Sequence, residues 1–316
     1  MKPVLAILND YQDVALSFGD FDSLRPHFDI RVFRRAFASD AETVAELTDA
    51  QVVLAMRERT SLGRSVIEAL PQLKLIVTTG TRNAAIDLAA AAERGVVVSG
   101  TGMSRHAAGE HTWALLMAAA RHIPAEVSDL RAGGWQISVG AELHGRTLGI
   151  VGLGHIGSQM ARYAQAFGMT VLAWSANLDA ARARELGVEP VTKGRLFAES
   201  DVVTLHLVLS ERSRGVVGAA ELAALGPTGL LVNTSRGPLV DEAALVTALS
   251  SGTLGAAALD VFDVEPLPAD HPLRSLPNVI ATPHIGFVTD TAYSTAYSQA
   301  VEDIHAWRHG APIRLL

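Results

Sequence analysis

The chain has 316 residues, a formal net charge of −7, 49% hydrophobic residues and no cysteine. That length is natural for two domains with sizeable cores, and an acidic chain without a basic run points away from nucleic acid as a partner. The lack of cysteine excludes disulfides, zinc–thiolate sites and thiol nucleophiles, and with a reducing compartment in view a cytoplasmic protein is expected.

The first ten residues carry an apolar run too short for a secretory h-region; they end in acid and read as a strand. Val4–Leu8, Val52–Ala55, Leu75–Val77 and Val96–Ser99 are apolar runs of strand length, and none is long enough to span a membrane. Helical patterns lie between them at Asp40–Leu47 and Arg64–Leu70, the second stopped by Pro71. This alternation predicts parallel α/β sheets. An Ala-rich helix follows over His106–Arg121, apolar nearly all round, which predicts burial between domains or subunits. His106 and His111 on it are five apart and do not share a face as an i,i+4 pair would, so no metal site is expected. Arg131-Ala132-Gly133-Gly134-Trp135 marks a bend, and a second βα series runs from Leu148 to about Ile280. Neither Ser104 nor Ser210 sits in a G-x-S-x-G elbow, which points away from hydrolase chemistry.

The second series opens on Leu148-Gly149-Ile150-Val151-Gly152-Leu153-Gly154-His155-Ile156-Gly157. This is G-x-G-x-x-G after an apolar strand and before a helix. Gly152 permits the tight turn, Gly154 lets the backbone approach a pyrophosphate, and Gly157 lets the helix pack on the strand. The helix start, with His155 and Ile156 in the variable positions, offers backbone N–H groups to phosphates. A dinucleotide site is expected to carry an acid about 20 residues on, for the ribose 2′-hydroxyl. The strand Met169–Trp174 leads instead to Ser175, and Ser175-Ala176-Asn177 contains no carboxylate. The cofactor is therefore read as NAD or NADP, with NAD favoured; Arg182 and Arg184 lie downstream on a predicted helix.

Thr282-Pro283-His284-Ile285-Gly286 places an imidazole on a stiff backbone, after a proline that fixes φ and before a glycine that needs no side-chain room. Glu265 and Arg236 lie upstream in Gly/Pro-marked turns. One imidazole, one carboxylate to charge it and one guanidinium to hold an anion suit the reduction of a carbonyl.

These motifs, in this order, resemble the D-isomer-specific 2-hydroxyacid dehydrogenase family. The resemblance rests on Gly152–Gly157, Ser200–His206, Leu231–Glu242, Ala258–Pro266 and Pro277–Gly286, and is dense from about residue 95 to 290. It implies two Rossmann-like, doubly wound parallel-sheet domains with a cleft between them: residues 1–100 plus 287–316 for substrate, residues 101–286 for the dinucleotide. The helix Thr291–Trp307 would return to the first domain, and the helix His106–Arg121 with the arm after it would join two copies in a homodimer. His284 matches the family's acid/base, Glu265 its carboxylate partner, and Arg236 the arginine that holds the substrate carboxylate and carbonyl. Thr234 and Asp260 match cofactor-contacting positions, Asp260 receiving the nicotinamide carboxamide. The implied reaction moves a hydride between a nicotinamide cofactor and a 2-oxo acid or D-2-hydroxy acid. The alternative is a catalytically weak, NAD(H)-sensing binding protein of the corepressor type.

The substrate side departs from the family pattern. Its Gly-rich carboxylate loop corresponds to Thr78-Thr79-Gly80-Thr81-Arg82-Asn83-Ala84-Ala85, where only Gly80 of the glycines remains. Gly80, Thr81 and Arg82 are expected at the substrate, with Arg82 and Asn83 supplying side-chain donors for a second polar or anionic group. No regulatory domain follows Leu316, which points away from an allosterically controlled phosphoglycerate-type enzyme.

Overall fold

A computed structural model describes residues 2–316. The chain divides into two compact units: one of residues up to Arg105 together with Val288–Leu316, the other His106–Phe287.

The first unit holds a five-stranded, all-parallel sheet of β1 (Val4–Ile7), β2 (Asp29–Val32), β3 (Ala50–Ala55), β4 (Leu75–Thr78) and β5 (Val97–Gly100), in the order β2-β1-β3-β4-β5. β1 and β4 are fully buried, as expected of short Val/Leu/Ile runs covered by helices on both faces. The helix Asp290–Arg308 belongs to this unit, capped by the Thr289 side chain and burying Tyr293 and Tyr297. After it, Arg314 Nε donates to the buried Asp303 at 2.8 Å, and the tail runs beside Ser99.

The second unit holds seven parallel strands: β6 (Thr147–Val151), β7 (Thr170–Trp174), β8 (Glu189–Pro190), β9 (Val202–Leu205), β10 (Leu230–Asn233), β11 (Ala256–Leu259) and β12 (Val279–Ala281), in the order β12-β11-β10-β9-β6-β7-β8. Strand periodicity sends alternate residues to opposite faces, and the cores follow it: Leu231 packs in one cluster, Leu230 and Val232 in the other. The order reverses between β6 and β9, the switch point where doubly wound sheets leave a crevice beyond the strands' carboxyl ends.

Register decides what shares that edge. Val151, Leu205, Asn233, Leu259 and Ala281 are successive partners across β6, β9, β10, β11 and β12. The loops after these strands therefore leave one sheet edge side by side, spread over roughly 19 Å at about 4.8 Å per strand.

The predicted His106–Arg121 helix is found at Ala107–Ala120. A second helix, Ile123–Arg131, precedes the Gly133-Gly134 bend and has no buried residue. The sequence predicts only an arm there, because a polar stretch starting at His122-Ile123-Pro124 carries little apolar periodicity.

Candidate active site

The fingerprint turn follows β6. Gly152 has φ +99°, and a Cβ there would lie 2.7 Å from the His206 carbonyl oxygen at the end of β9. The backbone that follows the neighbouring parallel strand thus excludes any side chain. A Cβ on Gly157 would be driven into the backbone carbonyl of Gly152, so this glycine sets how closely the helix His155–Ala166 packs on the turn. Gly154 differs: its backbone is extended and a Cβ would meet nothing within 4 Å. The space over Gly154, in front of a helix start, is a cradle that suits a diphosphate. His155 is exposed, with Nε2 3.0 Å from the amide nitrogen of Gln159. His206 sits beside the turn with Nε2 2.9 Å from Thr204 Oγ1; desolvation pushes its pKa down to about 3, so it adds no charge.

β7 ends at Trp174, and Ser175 lies at the rim of an open depression of about 560 Å³ lined also by Leu178, Arg184, Thr192 and Lys193. Lys193 Nζ lies 2.7 Å from Glu221, and Arg195 on the same wall pairs with Glu189 and Glu199. No carboxylate lines this depression.

The loops after β10, β11 and β12 carry the remaining candidates. Arg236 precedes the short helical turn Gly237–Leu239; its carbonyl accepts from Asn233 Nδ2 and its Nη1 donates to the Ser235 carbonyl. Thr234 Oγ1 lies 2.6 Å from Thr112 Oγ1. Glu265 reaches back from the β11 loop. Its Oε1 accepts the Phe262 N–H at 3.0 Å, and its Oε2 lies 2.6 Å from His284 Nδ1. Both side chains are half-buried, and the Phe287 ring stands edge-on to the imidazole. His284 has φ +51°, a left-handed backbone that a non-glycine residue holds only under restraint.

That restraint is Asp260. Only 1% exposed, it accepts Thr282 Oγ1 at 2.6 Å and the N–H groups of Ile285 and Gly286 at 2.9 and 2.8 Å. His111 Nε2 lies 3.2 Å from the same carboxylate. Burial works against the charge, but hydrogen bonds from His111, Thr282 and Ile285 outweigh it, and the carboxyl stays below its ordinary range. From the motifs Asp260 is expected at the cofactor and His111 has no expected role; a helical histidine meeting a strand-end acid about 150 residues away leaves no local signal.

The first unit corrects one expectation. Asn83 is buried, its Nδ2 donating to the Arg57 carbonyl and Thr78 Oγ1 and its Oδ1 accepting from Ala85 N, so it shapes the loop instead of offering donors outward. The Gly80 N–H donates to Thr101 Oγ1. Thr81 and Arg82 are exposed on the loop. Among the described residues no cluster of metal-ligating side chains occurs.

The family model for the D-isomer specific 2-hydroxyacid dehydrogenase NAD binding domain matches residues 113–286. The chain belongs to this family. A glyoxylate reductase from Korarchaeum cryptofilum is 33% identical over 98% of this chain and 94% of its own length. A D-3-phosphoglycerate dehydrogenase from Methanocaldococcus jannaschii is 40% identical over 83% of this chain and 51% of its own length. The chain thus spans about half the length of the phosphoglycerate dehydrogenases it matches. A crystal structure of phosphoglycerate oxidoreductase from Vibrio cholerae o395 superposes with a TM-score of 0.92 at 37% identity, covering 98% of this chain and 99% of the other. The resemblance and the doubly wound fold read from the motifs are borne out, and the second unit is the family's NAD(P)-binding domain. No helix among the described residues is long and apolar enough to cross a membrane.

Proposed function

We propose that the chain is a cytoplasmic NAD(P)-dependent oxidoreductase that interconverts a 2-oxo acid and its D-2-hydroxy acid, with His284 as the acid/base. The observation that carries the reading is the 2.6 Å pair of His284 Nδ1 and Glu265 Oε2, on the sheet edge that also carries the dinucleotide fingerprint and Arg236.

A bound nicotinamide supplies the hydride; the chain supplies position and charge. Glu265 holds the Nδ1 proton of His284, which fixes the tautomer and assigns Nε2 to proton exchange. In reduction the imidazolium delivers the Nε2 proton to the carbonyl oxygen; in oxidation the neutral ring takes it from the hydroxyl. The Arg236 fork holds the substrate carboxylate and polarises the adjacent carbonyl. Gly154 and the helix start behind it receive the diphosphate. In the first unit, the exposed Thr81 and Arg82 remain the candidate substrate contacts, and the Arg82 guanidinium favours a substrate with a second polar or anionic group.

We assign a homodimer to the exposed apolar residues Leu130, Trp135, Ile137 and Val139, of which Trp135 is 76% and Val139 93% exposed. A monomer rarely leaves four large apolar side chains within ten residues of sequence to water. Light scattering is expected to give twice the chain mass, and W135S together with V139S to lower it; a monomeric parent refutes the assignment.

The test of activity is a panel of glyoxylate, hydroxypyruvate, pyruvate and bulkier 2-oxo acids, run with NADH and NADPH in parallel. Saturable cofactor binding without turnover on any member would support the corepressor-type alternative.

A further inference from the structure

We propose that His111 is a positioning residue for His284: from the helix Ala107–Ala120 it locks Asp260 and Thr282, and through them the turn on which His284 stands. The inference rests on His284 being the acid/base.

The argument starts from backbone strain. At φ +51° His284 needs outside contacts to stay in place. The two N–H groups that follow it are both held by Asp260, and its own N–H bonds to the Thr282 carbonyl at 3.0 Å. The turn is therefore as fixed as the Asp260 carboxylate, which ends a strand in a nearly dry site and can rotate unless its other side is also held. His111 does this. Its Nε2 lies 3.2 Å from both Asp260 Oδ1 and Thr282 Oγ1. Thr282 Oγ1 spends its proton on Asp260, so toward His111 it accepts, and an N–H on Nε2 serves both oxygens. Packing supports the polar contact: a Cβ on Gly286 would lie 3.4 Å from the His111 ring and 3.0 Å from Asp260 Oδ2, so the turn closes directly onto this pair.

The next residue ties down the other loop. Thr112 Oγ1 lies 2.6 Å from Thr234 Oγ1, two residues before Arg236. Adjacent positions on one helix thus brace the turn of the proton donor and the loop of the anion-binding arginine. Neither His111 nor Thr112 is proposed to touch substrate. A misplacement of the donor by about 1 Å is enough to cost up to about 100-fold in rate.

The test compares His111→Phe, which keeps a ring without the N–H, with His111→Gln, whose amide nitrogen reaches the same place. His111→Phe is expected to lower kcat by about 10- to 100-fold with KM for the cofactor within about twofold of the parent, and His111→Gln to recover kcat to within about threefold. Thr112→Val is expected to raise KM for the 2-oxo acid more than it lowers kcat. If His111→Phe does not fold, Thr282→Val probes the same lock and is expected to lower kcat likewise. Parental kcat in His111→Phe overturns the inference, as does a loss that Gln does not rescue and that tracks the melting temperature. His284→Asn separates the two levels: if it retains parental turnover, the acid/base reading itself has failed. If it abolishes turnover while His111→Phe does not lower it, only the positioning role has failed.

Discussion

Gly154→Ala tests the dinucleotide cradle with little interference from folding. Its backbone is extended, so an alanine is not strained, and its Cβ would meet nothing within 4 Å. Surface changes of this kind stay within about 0.5 kcal/mol of the parent, so the melting temperature should move by no more than about 2 °C. The methyl would instead project into the space assigned to the diphosphate and hold it off the helix N–H groups. Losing one such charge-assisted hydrogen bond costs about 1.5–3 kcal/mol, which is roughly 10- to 160-fold in Kd. Gly157→Ala is the contrasting control: its Cβ would be driven into the Gly152 carbonyl and would lie 3.2 Å from Ile150 Cγ2, so the helix must move. Overpacking of about 1–3 kcal/mol should lower its melting temperature, by roughly 2–4 °C for each kcal/mol, as well as its affinity. NAD(P)H fluorescence titration and thermal melts on both variants decide the matter. Parental affinity in Gly154→Ala, or a fall in its melting temperature matching that of Gly157→Ala, would refute the assignment of that space to the cofactor.

His284→Asn should lower kcat by about 10²- to 10⁴-fold while cofactor Kd stays within about twofold, since a positioned acid/base contributes about that much; near-parental turnover would remove its role. Ser175→Asp introduces a carboxylate into the lining of the depression and should lower the NADPH-to-NADH ratio of kcat/KM by about tenfold or more, since a 2′-phosphate would then face a like charge. An unchanged ratio would place the adenosine ribose elsewhere. Asp303 gives a pH signature: burial raises its carboxyl to about 6, although the pair with Arg314 opposes this and holds the guanidinium charged. A folded pKa above the unfolded 3.8 means that this group's stability is complete below about pH 4 and is lost as pH rises through 6, on the order of 1–3 kcal/mol. Asp303→Asn should therefore gain in melting temperature over the parent between pH 5 and 8; a constant difference would show that the carboxylate's charge is not costly in the fold.

Strand runs, the fingerprint and the His284 turn were legible because each is local: a strand–turn–helix glycine pattern and a proline-stiffened histidine carry their geometry in consecutive residues. Glu265 and Arg236 were legible through motif order, and the distance of Glu265 from His284 followed from parallel strands in register. What stayed hidden depends on distant pairs. Asn83 looked like an outward donor because asparagine in a loop commonly is one, yet it turns inward to hold the Arg57 and Thr78 segments together. On its own helix His111 suggests at most a metal ligand, and its partners Asp260 and Thr282 lie at the ends of β11 and β12.

The same contrast explains why Asp260 carries so much of the site. A carboxylate with 1% exposure costs free energy unless its lone pairs are filled, and here they are filled by one turn and one helix. Each bond to Asp260 therefore has two effects. It offsets the cost of burying the charge, and it restrains either a residue within two positions of His284 or, for His111, the carboxylate that holds those residues. Stability and catalytic geometry cannot be separated at this carboxylate, since the hydrogen bonds that let it stay ionised are those that hold the turn. At Glu265 they can be: its Oε1 is secured by the Phe262 N–H within its own loop, which leaves Oε2 to act on the imidazole. The two acids, five residues apart in the loop after β11, thus divide the work, one fixing where His284 stands and the other fixing which of its nitrogens holds the proton.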